Sequence, residues 1–515
     1  MLPRGFFAIL LSCAALDSAD ASRLNKRAGE LLESAHGAIG GTQPEFQPGA
    51  LLQLAIVESH RDRSKSVELF DQAIACAAAL PQRENLRTRF LALTIAALAR
   101  VDVERAIEKL NILPEAPAGQ PDPRVDPIQQ IVAILLEKSR KNPDRAIELV
   151  QQFGLSGVFP YRAAVSVIKV MPEDDPRRAM LLSLAQSAFV QRPDIDEFES
   201  FVRGLRPGRP VAMTQAQFDS GVRAMVRSAM EGKGIVFRRT QTITTSAGTV
   251  SLGDPRDVVL FNLVDLAMEV EPDLVTRMME DRPALREAVR HFPKGKASLD
   301  KGEGVTTSGT VPADGEKSSP AEQARARRLV METAYFQEVM TWYVKDPMRA
   351  IEAARKIPTA ILKVRAIVTI AMNQKAEEVQ AARKVLDACV KALEEVTPAG
   401  NRARGWASLA SAALRYQDRE LGLKLLERGL VDARELYKTD ADPDQPNLAP
   451  RVFWPSAAAF RSLFYQAAKL HQDEAEVLLE RCPDADIRVL GQIEIAAAWL
   501  GVTPVPATIQ VFRGK

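Results

Sequence analysis

The chain has 515 residues and a mass of 56.5 kDa. Its 68 Lys and Arg nearly balance 66 Asp and Glu, which leaves no basic footprint for nucleic acid and no acidic one for a cationic partner. Four Cys and four His, scattered along the chain, provide neither a disulfide framework nor a metal-ligand spacing.

Residues 1–21 read as an address. One positive charge, Arg4, precedes an apolar run over residues 5–16 that is too short to span a bilayer. Ala19 and Ala21 match the small residues ahead of a signal-peptidase cut, with Ser22 as the new N-terminus. The expected location is therefore extracytoplasmic, periplasmic or secreted, with no transmembrane segment once the signal is removed. Two other readings stay open. Leu10-Leu11-Ser12-Cys13 resembles a bacterial lipoprotein box that would anchor the chain through Cys13, or the segment is the first helix of a cytoplasmic protein.

Beyond it, apolar residues recur at helical spacing. Ala146, Leu149, Val150 and Phe153 fall on one face at i, i+3, i+4, i+7. Helices are predicted over residues 86–100, 103–113, 128–140 and 142–153. The sequence around Ala106, Arg-Ala-Ile-Glu, recurs around Ala146 and Ala350, with looser copies at Ser66 and Ala179. The first four of these positions in the chain, 66, 106, 146 and 179, are separated by 40, 40 and 33 residues, the range of helical-hairpin repeats. Asn142-Pro143, Asp175-Pro176 and Asp346-Pro347 place a capping side chain before a proline at the first helical position, where a missing N–H costs nothing.

Residues 234–252 break the pattern. β-branched residues over 235–245, a Ser246-Ala247-Gly248 turn and a return over 249–252 predict a small β-hairpin or ordered loop. Arg238 and Arg239 on this insertion are the candidate partner-binding residues, placed to meet an anionic group. Helices resume at residues 255–268 and 271–290. Residues 293–320 lack aromatics and are rich in Lys, Gly, Ser and Thr, so they are read as a disordered linker between helical segments 22–292 and 321–515. In the second segment, helices are predicted over 321–345, 346–357, 362–371, 376–396, 402–415, 420–437, 456–470, 473–481 and 487–500.

This pairing, period and placement of small residues resembles α-solenoids of the tetratricopeptide or HEAT kind, over most of residues 50–200 and 321–500. Trp406-Ala407-Ser408-Leu409 and Trp499-Leu500-Gly501 echo the tetratricopeptide opening. The resemblance implies an all-α, right-handed solenoid of stacked helical hairpins whose extended face binds a protein or peptide.

No motif carries chemistry. Ser298-Leu299-Asp300-Lys301 matches Ser-x-x-Lys but lacks the companion elements, and Asp440–Asp444 opens like a calcium loop but lacks its Gly and Glu. The four Trp are read as core. No catalytic residue, cofactor or metal is expected. The reading is a non-enzymatic exported scaffold, and the alternative is an enzyme or accessory subunit with a site assembled from dispersed carboxylates.

Overall fold

The structure, a computed structural model, describes residues 18–502 except 82–85, 117–121, 139–142, 209–212, 236–238, 246–247, 300–304, 311–330, 333, 376 and 443–449. It is mostly helical. In chain order the helices are α1 (Ser18–Ile39), α2 (Gln47–Glu58), α3 (Arg63–Ala79), α4 (Leu86–Val101), α5 (Val103–Lys109) and α6 (Val125–Lys138). Next come α7 (Asp144–Leu155), α8 (Tyr161–Val170), α9 (Pro176–Gln191), α10 (Ile195–Gly204) and α11 (Gln215–Met230). Strands β1 (Arg239–Thr245) and β2 (Gly248–Leu252) precede α12 (Pro255–Val270), α13 (Pro272–Met279), α14 (Pro283–His291) and α15 (Lys296–Leu299). Strand β3 (Val305–Thr310) and α16 (residues 334–342) follow. The chain then runs through α17 (Pro347–Arg355), α18 (Ala360–Met372), α19 (Val379–Glu394), α20 (Ala403–Arg415), α21 (Arg419–Asp440), α22 (Pro455–Leu470), α23 (Gln472–Leu479) and α24 (Ala485–Trp499).

Helix starts follow the expected chemistry. Asp175 accepts from the Arg177 N–H and Asp346 from the Arg349 N–H, each ahead of a first-position proline. Asp62, Asp102, Asp194, Asp254, Asp418 and Asp484 cap other helices the same way. Asn142 lies outside the described residues, and α7 itself starts on Pro143 without a side-chain cap bond.

The compact units differ from the expected segments 22–292 and 321–515. One unit joins Met1–Pro81 to Tyr335–Lys515, and the other is Gln82–Ala334. The cause is visible in the first unit. Helix pairs α18/α19, α20/α21 and α22/α23 follow in order, and α24 is the last helix among the described residues. Its partner is α1, from the opposite end of the chain, and α2/α3 forms the next pair with α2 against α24. Leu24, Ala28, Leu32, Ala35 and Ile39 make the buried stripe of α1. The Arg27 guanidinium donates to Asp473 at 2.6 Å and Glu476 at 2.8 Å and lies 4.8 Å from the Trp499 ring centre. The expected signal cut after Ala21 falls in the first turn of α1, just ahead of Leu24, and residues 1–17, Cys13 included, lie outside the described residues.

In the second unit, α4, α6, α8 and α10 pack side by side, and α7 packs on α9. Its core holds Phe189 stacked on Phe198 at 4.3 Å, with Tyr161 edge-on to Phe198 at 5.4 Å. Here the 234–252 insertion forms the expected hairpin, β1 antiparallel to β2 with Ile243 opposite Val250. A correction concerns 293–320. Val305–Thr310, inside the segment read as disordered, is β3, antiparallel to β1 in a sheet of order β2-β1-β3. The free edge of β1 supplies backbone donors and acceptors, and Val305, Thr306 and Thr307 are β-branched enough to use them. Gln241, Ile243, Val250 and Leu252 are buried on one face, which packs on α12 and α14. The predicted helix over 271–290 is two helices, since Asp281 turns left-handed (φ 57°) and Pro283 disfavours a helical residue before it.

A close approach ends α12's neighbourhood. Gly295 has φ +54°, and a Cβ there would lie 2.1 Å from the Phe261 carbonyl oxygen. Gly295→Ala is expected to cost about 3 kcal/mol, from left-handed strain plus a forced backbone shift. Gly253→Ala, with nothing within 4 Å of the new methyl, is the control in parallel urea titrations. Equal midpoints for the two variants would contradict the packing of residues 293–295 on α12.

The repeat echoes divide. Ala106, Ala146, Ala350 and Ser66 are fully or almost fully buried, but Ala179 is exposed; in its helix Leu181 and Leu182 face the core instead. Ala146→Leu and Ala350→Leu are each expected to overpack and cost about 1–3 kcal/mol. Ala179→Leu should stay within about 0.5 kcal/mol of the parent. Thermal melts of the three variants check this, and a ranking with Ala179 worst would overturn it.

Candidate functional site

The first unit builds one surface by repetition. Helices α18, α20, α22 and α24 lie in a row, each against the next. Close contacts fix their register. A Cβ on Gly405 of α20 would lie 3.0 Å from Val364 of α18. One on Gly429 of α21 would meet both Trp406 of α20 and Leu463 of α22. One on Gly491 of α24 would lie 3.0 Å from Phe464 of α22. These levels put Arg365, Arg404, Arg461 and Arg488 at equivalent positions of four successive helices.

The four arginines differ in company. Arg461 is buried and paired with Glu494 of α24, its Nε 2.5 Å from Oε1. Burial holds the Glu494 carboxyl above the usual glutamate range, although Arg461 opposes the shift, and its Oε2 has no hydrogen-bond partner among the described residues. Arg365 is exposed, 5.8 Å from the Phe336 ring centre. Arg404 and Arg488 are exposed, and among the described residues their guanidinium groups make no hydrogen bond or ion pair. Desolvation nevertheless pulls the Arg404 guanidinium below the usual arginine range; the like charge of Arg461 adds to this and Asp440 opposes it. Asp440, read as the start of a calcium-like loop, is buried and accepts the Ser456 N–H at 2.8 Å, which caps α22. Residues 443–449 of that loop lie outside the described residues.

Other features are structural. A cleft of about 300 Å³ lies between α19 and α21, with Val390, Leu421 and Leu425 beside Lys391, Lys424 and the Glu394–Arg428 ion pair. Trp406 and Trp454 are core, whereas Trp342 and Trp499 are half-buried, with Arg349 and Arg27 over their rings. Cys389 and Cys482 are pushed up to about 12 by burial, so their thiols are unreactive in neutral solution.

Carboxylates raised by burial gather on and just before α10, namely Asp194, Glu197 and Glu199. Each is engaged. Asp194 caps the helix, Glu197 meets Arg162 at 2.9 Å, and Glu199 meets Arg203 at 2.6 Å, which also forks onto Asp265.

Of the residues singled out from sequence, Arg238 lies outside the described residues. Arg239 opens β1 opposite Thr310, and only its backbone is described. The arginine row was not anticipated. Its signal is an apolar–Arg–x–apolar step, Val364-Arg365-Ala366-Ile367, Ala403-Arg404-Gly405-Trp406, Phe460-Arg461-Ser462-Leu463 and Ile487-Arg488-Val489-Leu490.

The paired helices fit a helical-repeat class of protein, not a specific family. No protein-family model and no curated protein matches the chain. Among solved structures it is similar to one described as a circular tandem repeat protein with novel repeat topology and enhanced subunit contact surfaces. That match is at 16% identity over 91% of this chain and 83% of the other, with a TM-score of 0.14. So low a score carries no argument about the fold.

Proposed function

We propose that the chain is a non-enzymatic, exported helical-repeat scaffold, a right-handed solenoid that binds a protein or peptide partner along the row of α18, α20, α22 and α24. The observation that carries this reading is the repetition itself. Four successive helices carry an arginine at matching levels, and among the described residues the exposed Arg404 and Arg488 guanidinium groups make no hydrogen bond or ion pair. Arginine suits such a surface because its planar fork binds carboxylates bidentately.

The competing reading, an enzyme or accessory subunit using dispersed carboxylates, would draw on Asp194, Glu197 and Glu199. Their caps and arginine partners support a structural role more than acid–base work. Export rests on residues 1–21. Mass spectrometry of the mature N-terminus separates its forms, since free Ser22, acylated Cys13 and intact Met1 are exclusive. Affinity capture with the immobilised full chain from an extracytoplasmic extract tests the scaffold. A stoichiometric partner is expected, and none above background overturns the reading.

A further inference from the structure

The arginine row has a spacing, and the spacing selects a ligand. Packed helices stand about 8–10 Å apart, so equivalent guanidinium groups on neighbouring helices recur at about that distance. A β-strand fails to match it. Its third residue advances about 10 Å but faces the opposite side. A polyproline II helix matches it, with three residues per turn and about 3.1 Å per residue, so that every third side chain returns to one face after about 9.3 Å.

We propose that the row binds an acidic peptide segment in the polyproline II conformation, with a carboxylate at every third residue. This deepens the scaffold reading and rests on it. Arg365, Arg404 and Arg488 are the binding rungs, since each is exposed and its guanidinium has no carboxylate partner among the described residues. Arg461 is a different rung. Glu494 already neutralises it, and the unpaired Glu494 Oε2 repels a second carboxylate. The preferred ligand therefore carries acids at positions 1, 4 and 10 and a neutral residue at 7. Charge complementarity fixes the acidic character, and Arg404, on α20 between Arg365 and the neutralised Arg461, takes position 4.

The test uses the full chain and a fluorescent decapeptide, Glu-Pro-Pro-Glu-Pro-Pro-Gln-Pro-Pro-Glu, followed by anisotropy. Three comparison peptides are titrated beside it. One has Gln for every Glu, one has its three Glu adjacent, and one has Glu at position 7 as well. Saturable binding of the first peptide is expected, with each of the others weaker. Arg404→Glu should weaken it roughly tenfold or more. The exposed off-row charge reversals Arg63→Glu and Arg419→Glu change net charge equally and should leave binding within about twofold. Circular dichroism of the three variants confirms that they fold. Absence of binding to the wild-type chain, equal binding of the Gln peptide, or equal loss in the off-row variants each overturns the inference. If affinity capture still retains a partner in that case, the scaffold reading stands and only the ligand assignment falls.

Discussion

Arg461→Met is expected to destabilise the first unit by about 3–5 kcal/mol at neutral pH, because it strands the Glu494 carboxylate in a site that is 2% exposed. The attraction between the two groups is not the point. Burying either charge alone costs more than the pair returns, so Arg461→Met with Glu494→Leu should recover to within about 1 kcal/mol of the parent, or exceed it. The pH dependence has a definite sign. Burial already raises the folded-state Glu494 above its unfolded value, so the folded protein holds its proton more tightly than the unfolded chain. Stability from this group is therefore fully present below the ordinary glutamate value, about 4.3, and is lost as pH rises through the folded value. Removing Arg461 raises the folded value further and widens that window. The penalty of Arg461→Met should thus be largest at pH 7 and shrink towards pH 5, as read by urea denaturation at both. A penalty that is the same at the two pH values, or a double variant no better than the single, would sink the buried-pair account.

The same pair shows where sequence reading stops. Helix positions were legible because apolar periodicity and Asp-Pro starts are local. Residues 86–100, 402–415 and 456–470 were expected as helices, and α4, α20 and α22 cover nearly the same spans. The hairpin was legible for the same reason, in its β-branched run and Ser246-Ala247-Gly248 turn. The pairing of α1 with α24 was not, since Arg27 and Trp499, in contact across it, are separated by nearly the whole chain and no local pattern links them. Composition misled at β3. A low-complexity stretch lacks the apolar area to fold alone, but a strand edge already built by β1 lowers that requirement to backbone pairing. The arginine row was present as a repeated step in four helices. That step carries no capping or periodic signal of its own, and the stronger Arg-Ala-Ile-Glu echo, at Ala106, Ala146 and Ala350, lies on other helices and marks packing. Ala179 marks the limit of that echo, since its small side chain faces water.

The second large effect is expected at Asp432, a 6% exposed carboxylate on α21. Its Oδ1 accepts from Arg402 Nη2 at 2.9 Å; its Oδ2 accepts from Arg402 Nε at 2.9 Å and Trp406 Nε1 at 2.6 Å. Arg402 also donates to the Glu394 carbonyl at 2.8 Å, so one carboxylate ties the end of α19 and the start of α20 to α21. Asp432→Leu replaces the carboxylate with a larger apolar group, leaving the half-buried Arg402 guanidinium only the Glu394 carbonyl and the buried indole N–H no acceptor. The expected cost is about 3–5 kcal/mol. Asp432→Asn retains one acceptor and should cost less. Adding Trp406→Phe to Asp432→Leu removes the orphaned N–H, so the double variant should be more stable than the sum of the singles by about 1 kcal/mol or more. There is a functional consequence as well. Arg404 sits two residues before Trp406 on α20, so loosening α20 against α21 disorders the rung proposed for position 4. Asp432→Leu should therefore weaken the acidic decapeptide under conditions where circular dichroism still reports a folded chain. Full affinity in a measurably destabilised Asp432→Leu protein would show that the α20–α21 junction does not position Arg404, and would leave the proposed peptide contact to depend on α20 alone.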